Sequence, residues 1–237
     1  MSVVWHDLEC GGYCADLPLW RRLAAAGTGP ILDVGAGTGR VTLELARGGH
    51  EVTALDADCG LLAELGRRAA GLPVSTVCAD ARSFTLDRRY GLVLVPMQTV
   101  QLLGGAAGRA AFLARARAHT KPGGRVAIAI AEQLEPFELA AGAIGPLPDV
   151  CERDGVVYSS RPTAVRADAD GFWLERERET VGAAGEHHQQ SDRIRLDAVS
   201  AEALEDEAAR AGLRAWRREE IAPTDDHVGS RVVILGV

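Results

Sequence analysis

The sequence predicts an α/β fold whose core is a doubly wound, mostly parallel β-sheet. Between residues 31 and 133, short apolar runs typical of buried strands alternate with helical patterns, which is the order of βα units. Three glycines at alternate positions, Gly35, Gly37 and Gly39, separate the first apolar run from the first helical pattern. The chain has 237 residues, of which 47% are hydrophobic, so it can bury the core of one such domain and carry an insertion.

An N-terminal cap segment and a helix are predicted for residues 1–30. Asp16 and then Pro18 precede an apolar pattern that runs through Leu23. A carboxylate at the N-cap and a proline in the first turn are typical of a helix start. The first strand of the sheet follows at Ile31.

The glycine turn between this strand and the next helix is the predicted centre of the molecule. A crossover helix follows from Val41 to Gly48. Glycine accepts positive φ without a Cβ clash and lets a ligand come close to the backbone. The N-terminus of the helix adds free N–H groups. The turn is therefore predicted to be a ligand-binding loop.

A second strand, His50 to Leu55, closes on Asp56, which lies 21 positions after Gly35. In a βαβ unit this spacing places a carboxylate beside the ribose of a nucleotide held over the glycine turn. The pattern differs from the dehydrogenase fingerprint, because the glycines read GxGxG and Arg40 stands where that fingerprint has Gly or Ala. A nicotinamide dehydrogenase is therefore disfavoured.

The segment DVGAGTG, residues 33–39, resembles motif I of the class I methyltransferases that use S-adenosylmethionine. The resemblance implies a Rossmann-like seven-stranded sheet of strand order 3-2-1-4-5-7-6. It also implies S-adenosyl-L-methionine as methyl donor and S-adenosyl-L-homocysteine as product. It covers residues 31–133 well and residues 197–237 by pattern only.

The resemblance assigns cofactor contacts to the ends of the strands. An acidic residue after the third strand, here Asp80 after Val74 to Cys78, meets the adenine amino group, and Ala81 offers a backbone N–H. Tyr13 either closes the cofactor pocket or anchors the N-terminal helix. The predicted cofactor-binding residues are Tyr13, Asp33, Gly35, Ala36, Gly37, Gly39, Asp56, Ala57, Asp80, Ala81, Pro96, Met97 and Gln101.

The fourth and fifth strands complete the parallel part of the predicted sheet. The fourth, Tyr90 to Val95, ends at the Pro96-Met97 pair, where open α/β sheets bind ligands. A helix from Ala106 to His119 and a strand from Arg125 to Ala131 follow. At the end of its helix, His119 is interpreted as a residue favourable to the helix dipole.

Residues 136–196 are predicted to be an inserted antiparallel β lid over the substrate. Three strand patterns separated by turns interrupt the βα alternation there. Alternation puts Arg176 and Arg178 on one face of this small sheet. They form either an anion-binding surface or ordinary ion pairs on a solvated sheet, and we favour the second interpretation. Residues 31–135 and 197–237 then form the cofactor-binding domain.

The C-terminal part is predicted to be a helix capped by Ser200 and two closing strands. The turn between the strands, Pro223 to His227, lies at the rim of the pocket if the sixth strand is parallel to the first five. It is otherwise an ordinary Asp-rich turn. In the functional interpretation His227 is a general base, held by Asp225 or Asp226, because an imidazole titrates near neutral pH.

Composition narrows the class of protein. A net charge of −7 and a pI of about 5.4 disfavour a nucleic-acid substrate. No apolar run has membrane length and no signal pattern opens the chain, so we expect a cytoplasmic protein with no membrane partner. The five cysteines lack metal-site spacing and are expected to be reduced thiols, and no metal site is predicted.

The sequence therefore predicts a methyltransferase that moves a methyl group to an N or O nucleophile of a small molecule by in-line displacement. The alternative is a non-catalytic S-adenosylmethionine-binding protein that regulates or partners another enzyme. An aminopropyl transferase on the same fold is disfavoured, because the segment after the fourth strand lacks acidic residues. The sequence is also compatible with a homodimer.

Overall fold

The computed structural model describes residues 3–140, 145–224 and 227–237. The chain forms two compact units, each with its own β-sheet. The larger unit comprises Tyr13–Glu132 and Val199–Val237, and the smaller unit comprises Met1–Gly12 and Gln133–Ala198. None of the helices within the described ranges is long and apolar enough to cross a membrane.

The described residues contain twelve strands and six α-helices. The strands are β1 (Ile31–Val34), β2 (Val52–Asp56), β3 (Val74–Cys78), β4 (Tyr90–Val95), β5 (Thr120–Ile130), β6 (Phe137–Glu138), β7 (Asp149–Arg153), β8 (Val156–Ala167), β9 (Gly171–Val181), β10 (His187–Asp197), β11 (Arg214–Ile221) and β12 (Ser230–Gly236). The helices are α1 (Val3–His6), α2 (Leu17–Ala26), α3 (Arg40–Arg47), α4 (Cys59–Arg68), α5 (Gly105–His119) and α6 (Ala201–Arg210). A π-helical turn spans Asp7–Gly11, and a 3₁₀ helix spans Thr99–Leu102.

The larger unit is built on a seven-stranded sheet of order β3-β2-β1-β4-β5-β12-β11. Strands β1 to β5 pair in parallel, and β12 is antiparallel to both β5 and β11. Because β11 and β12 are the sixth and seventh strands of this sheet along the chain, the predicted order 3-2-1-4-5-7-6 is confirmed. The sixth strand of this sheet is consequently parallel in direction to the first five.

Helices cover both faces of this sheet, so its central strands are buried throughout. Every residue of β1 and of β4 is buried, as parallel strands between two helical layers require. One face packs on residues such as Phe112 of α5 and Leu204 of α6. The other face packs on α2 and α3 through residues such as Trp20 and Leu45. β3, by contrast, lies at the edge and keeps exposed residues.

His119 is the last residue of α5, and both nitrogens of its ring contact backbone groups. The ring is buried, its Nε2 lies 3.0 Å from the amide nitrogen of Leu86, and its Nδ1 lies 2.8 Å from the carbonyl oxygen of Arg115. A backbone amide donates to Nε2, so Nε2 carries no proton and Nδ1 donates to the carbonyl. Through Nδ1 the ring thus contacts a carbonyl in the last turn of α5, where a hydrogen-bond donor is favourable to the C-terminal end of the helix.

The smaller unit is a five-stranded antiparallel sheet of order β10-β9-β8-β6, with β7 also paired to β8. The three predicted strand patterns correspond to β8, β9 and β10. Strands β6 and β7 precede these three, lie in a proline-containing stretch and were not predicted. They are short and pair with the two ends of β8, which a search for long periodic runs does not detect.

The N-terminal segment is fastened to this antiparallel sheet through Glu9 of the π-helical turn. Its carboxylate accepts hydrogen bonds from Arg178 (2.7 and 2.8 Å), from Ser160 (2.8 Å) and from Arg176. Burial alone raises the pKa of Glu9, but the hydrogen bond from Arg178 and the charge of Arg176 outweigh it and bring the pKa below its ordinary value. Both arginines are thus ion-paired, but largely buried, so the prediction of a solvated face is wrong for them.

Candidate functional site

The parallel strands bring the predicted cofactor residues to one edge of the larger sheet. The glycine turn follows β1, Asp56 ends β2, Asp80 follows β3 and Pro96 follows β4. Since β3, β2, β1 and β4 are neighbours in parallel, their carboxyl ends form a continuous rim. This rim is the candidate site.

The glycine turn has the backbone that only glycine adopts readily. Gly35 has φ of +74°, and a Cβ built on it would overlap the side chain of Thr99. Gly39 has φ of +99°, and its Cβ would lie 2.8 Å from the Leu65 side chain of α4. Gly35 thus allows the turn to approach the 3₁₀ helix, and Gly39 allows α3 to pack against α4. Gly37 also has positive φ, at +55°.

The carboxylate of Asp56 is fixed by two backbone amides. Its Oδ2 accepts from the N–H of Gly37 and its Oδ1 from the N–H of Asp58, each at 2.8 Å. Each oxygen keeps a further lone pair. The side chain is half-buried, joins the glycine turn to the end of β2, and can accept from two adjacent hydroxyl groups of a ligand.

Asp33, in the middle of β1, is a buried carboxylate with one unused oxygen. Its Oδ2 accepts from the Thr42 hydroxyl at 2.6 Å, whereas Oδ1 has no hydrogen-bond partner among the described residues. Burial raises the pKa of Asp33 to about 6, against an ordinary value of 3.8, although the Thr42 hydrogen bond opposes the shift. A cationic or hydrogen-bond-donating ligand group at Oδ1 would satisfy this oxygen.

Asp80 caps the loop that follows β3. Its Oδ1 accepts from the N–H of Arg82 at 2.8 Å, and the Arg82 guanidinium lies 2.6 Å from Oδ2. These hydrogen bonds lower the pKa of Asp80 to about 2, so the carboxylate is ionised at neutral pH. Arg82, next to the predicted Ala81, was not singled out by the sequence as a partner of Asp80. Its proximity in the chain is the signal that could have found it.

In the segment after β4, Met97 is half-buried and Gln101 is fully buried. Met97 has φ of +53°, an uncommon conformation for a residue other than glycine, and it follows Pro96 directly. Gln101, by contrast, is fully buried: its amide donates to the Ala131 carbonyl at 3.1 Å and accepts from the Ala131 N–H at 2.8 Å. This side chain fastens the 3₁₀ helix to the residue after β5. It is occupied by backbone and is not presented to a ligand.

Arg40 links the start of α3 to the segment before α2. Its guanidinium pairs with the buried carboxylate of Asp16 at 2.5 and 2.7 Å and donates to the Tyr13 carbonyl at 2.8 Å. It also lies 5.0 Å from the centroid of the Tyr13 ring. Asp16 in turn accepts from the Trp20 indole at 2.7 Å. The residue that breaks the dehydrogenase fingerprint therefore holds Tyr13 next to the glycine turn.

Tyr13 and His227 lie face to face in the larger unit. Their ring centroids are 4.7 Å apart with an interplanar angle of 30°. The Tyr13 hydroxyl is buried and has no hydrogen bond of normal geometry to a described residue, although the Ser230 side chain is near it. Burial raises the pKa of Tyr13, and the charge of Asp16 adds to the effect. The sequence did not predict this ring pair, because residues 13 and 227 lie at opposite ends of the chain.

The turn that carries His227 is closed by Thr224. The N–H of His227 donates to the Thr224 hydroxyl at 3.0 Å, and the N–H of Thr224 donates to the His227 carbonyl at 2.9 Å. Thr224 thus orients the backbone of His227 and not its imidazole. Asp225 and Asp226, the predicted carboxylate partners, lie outside the described residues.

Two of the five cysteines are joined. Cys59, the first residue of α4, and Cys78, the last residue of β3, form a disulfide with Cα atoms 5.2 Å apart. The expectation of five reduced thiols is wrong for this pair. Their 19-residue separation fits no short motif, so no local pattern indicated the pairing.

The sheet order, the glycine turn and the antiparallel last strand define the class I methyltransferase fold. Residues 31–124 match a family model described as a methyltransferase domain. The chain therefore has the fold of the class I methyltransferases, and residues 31–124, which contain the candidate rim from β1 to β4, are similar to a methyltransferase domain.

A curated relative and two solved structures illustrate the likeness. The cypemycin N-terminal methyltransferase of a Streptomyces species is 31% identical over 137 residues, 58% of this chain and 55% of that protein. The chain thus spans about half the length of this curated relative. CalS10, an amino pentose methyltransferase from Micromonospora echinaspora with bound S-adenosylmethionine, superposes with a TM-score of 0.72 at 21% identity over 99% of this chain and 97% of that one. The sugar N-methyltransferase KedS8 of a Streptoalloteichus species gives 0.73 at 21% identity over 99% and 92%.

Proposed function

We propose that the protein is an S-adenosylmethionine-dependent methyltransferase that acts on an N or O nucleophile of a small molecule. The observation that carries the proposal is the rim itself, where the unsatisfied Asp33 lies in β1, the glycine turn follows β1, and the fixed Asp56 ends the neighbouring strand β2. The names of the relatives, which include an N-terminal, an amino pentose and a sugar N-methyltransferase, favour an amine nitrogen as acceptor.

The residues present fit this cofactor. Asp56 would accept from the two ribose hydroxyls, and Asp80 from the adenine amino group with the Ala81 N–H on a ring nitrogen. Asp33 would receive the ammonium group of the methionine part at its unused oxygen. Ala36, Ala57, Pro96 and Met97 would line the site, and Tyr13 would cover it. Gln101 would act indirectly, by holding the 3₁₀ helix in place.

S-adenosylmethionine, when bound, supplies a methyl group already activated by a sulfonium. The protein then has to hold the acceptor in line, and such positioning contributes roughly 7–11 kcal/mol. An amine acceptor that arrives protonated must first lose a proton. His227 is the proposed base, since its half-buried ring is held against Tyr13 in the same unit.

The proposal also includes the cellular location of the protein and the role of residues 136–196. Residues 136–196 would act as the substrate lid, and the protein would work in the cytoplasm on a diffusible acceptor. Hydrogen exchange tests the lid: S-adenosylhomocysteine together with an acceptor should slow exchange in these residues. Unchanged exchange there would leave the insertion without this role.

Calorimetry with S-adenosylhomocysteine tests the cofactor assignment. Asp56→Ala should weaken binding by about 1.5–3 kcal/mol, because a charge-assisted hydrogen bond is lost. Asp87→Ala is the matched control: it removes an exposed carboxylate that precedes β4 and so lies at the opposite edge of the sheet. Equal affinities of the two variants would remove Asp56 from the site, and no binding by the unmodified protein would overturn the proposed function.

A further inference from the structure

We propose that Cys59 and Cys78 form a reversible thiol–disulfide site that controls the affinity of the adenosine end of the cofactor site. The inference rests on the proposed function, because the affected property is cofactor binding. The starting observation is where the disulfide lies: it joins the first residue of α4, just after the loop that follows β2, to the last residue of β3, just before the loop that carries Asp80.

The disulfide lies among the residues proposed to hold the ribose and adenine. Cys59 follows the segment from Asp56 to Asp58, and Cys78 precedes Asp80 by two positions. Asp56 and Cys78 are register partners across β2 and β3. The Sγ of Cys78 also lies 3.8 Å from the carbonyl oxygen of Ala57. A covalent link here joins the two loops on which the adenosine contacts depend.

The link fixes the loop that positions Asp56. Asp58 donates its N–H to Asp56 and, through its own carboxylate, accepts from Gly60 and Leu61 as the cap of α4. Cys59 lies within this cap, so the disulfide ties the cap to the end of β3. Asp56 and Asp80 are then held at a set separation before any ligand arrives. Preorganisation of this kind strengthens binding, because less freedom is lost on association.

Both cysteines are exposed, so the disulfide is open to exchange with a thiol. A glutathione thiolate attacks the Sγ of Cys78, forms a mixed disulfide and releases Cys59 as thiolate, which the N-terminus of α4 stabilises. A second glutathione thiolate then attacks the glutathione sulfur of the mixed disulfide and releases Cys78 as thiolate. Two electrons and two protons pass from the reductant to the protein, and the reductant leaves as a disulfide. Oxidation by a low-molecular-weight disulfide is the reverse exchange.

The oxidised and the reduced protein should differ in their affinity for S-adenosylhomocysteine and in little else. In the reduced state β2 and β3 stay paired through their parallel ladder, so the sheet persists. The loops after the strands gain freedom, and the Cys78 thiol can donate to the Ala57 carbonyl without fixing Cys59. We expect S-adenosylhomocysteine to bind the oxidised protein about fivefold or more tightly than the reduced protein.

Calorimetry with S-adenosylhomocysteine on the full chain tests the inference, with the protein equilibrated in oxidised or in reduced glutathione. Mass spectrometry of the alkylated protein reports the state of Cys59 and Cys78 in each sample. Cys59→Ser and Cys78→Ser should each show the weaker affinity in both buffers. Cys14→Ser, which changes an exposed cysteine outside the pair, should respond to glutathione as the unmodified protein does.

Each outcome decides a different point. Equal affinities, within about twofold, of verified oxidised and reduced protein would overturn the inference and leave the proposed function intact. Failure to form the Cys59–Cys78 disulfide in oxidised glutathione would also overturn it. Absence of S-adenosylhomocysteine binding in both states would instead overturn the proposed function.

Discussion

Asp33 shows how a single side chain can be unfavourable for the fold and useful for binding. Its carboxylate is buried in the middle of β1 with one oxygen unsatisfied, and burial raises its pKa to about 6. At neutral pH the unliganded protein therefore carries a poorly compensated buried charge. A cation bound at the free oxygen would remove this penalty, which is why we assign Asp33 to the cofactor.

The substitution Asp33→Asn tests this account through the pH dependence of stability. The pKa of Asp33 is raised in the folded state, so ionisation of Asp33 destabilises the folded protein. This loss of stability is absent below about pH 4, grows between about pH 4 and 6, and is complete above about pH 6. It then amounts to roughly 3 kcal/mol of the free energy of unfolding. Thermal unfolding of both proteins across this range should show the variant gaining stability relative to the parent as pH rises. A difference that is independent of pH would contradict the account.

His227 carries the catalytic prediction. If it accepts a proton from the acceptor, His227→Ala should lower kcat by about one hundredfold or more and abolish the acidic limb of the pH–rate profile. Calorimetry with S-adenosylhomocysteine should show that cofactor binding is kept. The stacked neighbour provides the control: Tyr13→Phe keeps the ring that packs against His227, so the acidic limb should remain. If kcat of the His227 variant stays within about threefold, positioning alone accounts for catalysis.

Short segments are fastened to distant elements by single buried polar side chains. Gln101 holds the 3₁₀ helix to the end of β5 through both groups of its amide. Glu9 holds the π-helical turn to β8 and β9 through Ser160, Arg176 and Arg178. These elements have too few residues to bury much apolar surface, so their positions depend on the polar contact.

Glu9→Gln should destabilise the smaller unit by roughly 1.5–3 kcal/mol at neutral pH, because Arg178 loses charge-assisted hydrogen bonds to its most buried partner and keeps only the partly exposed Asp192. The pKa of Glu9 is lowered, so its contribution is present above its ordinary pKa of 4.5 and is lost as pH falls below that value. The variant and the parent should therefore converge in acid.

Differential scanning calorimetry measures this effect as a shift of the unfolding transition. Glu177→Gln is the matched control, since Glu177 forms a partly exposed pair with Arg161 on the same sheet. Equal losses of stability in the two variants would show that the Glu9 contacts are no more important than a surface pair.

The architecture of the larger unit could be predicted because its signals are local. Buried strands such as β4 are continuous apolar runs, and the glycine turn and Asp56 are separated by one βα unit. The antiparallel strands β8 to β10 were likewise visible as long alternating runs. The rim positions of Asp33, Asp56 and Asp80 follow from where such strands end.

The contacts that complete each unit could not be predicted, because they join residues far apart in the chain. No periodic pattern in the sequence indicates these contacts. They are the Tyr13–His227 ring pair, the pairing of Arg40 with Asp16 and the Cys59–Cys78 disulfide. Gln101 was misassigned for a related reason. A polar residue after a strand can face the ligand or the backbone, and only its tertiary neighbours decide which.

The contacts of Glu9 have a consequence for synthesis on the ribosome. Its partners Arg176 and Arg178 follow it by 167 and 169 residues. During translation the Glu9 carboxylate leaves the exit tunnel long before either guanidinium has been synthesised. The ion pairs of Glu9 therefore cannot form until most of the chain has been made. The larger sheet is also completed late, since β12 is its last strand to emerge and lies between β5 and β11. Neither unit can close early, and nascent chains halted before residue 176 should bind chaperones at both their exposed N-terminus and the open edge of β5.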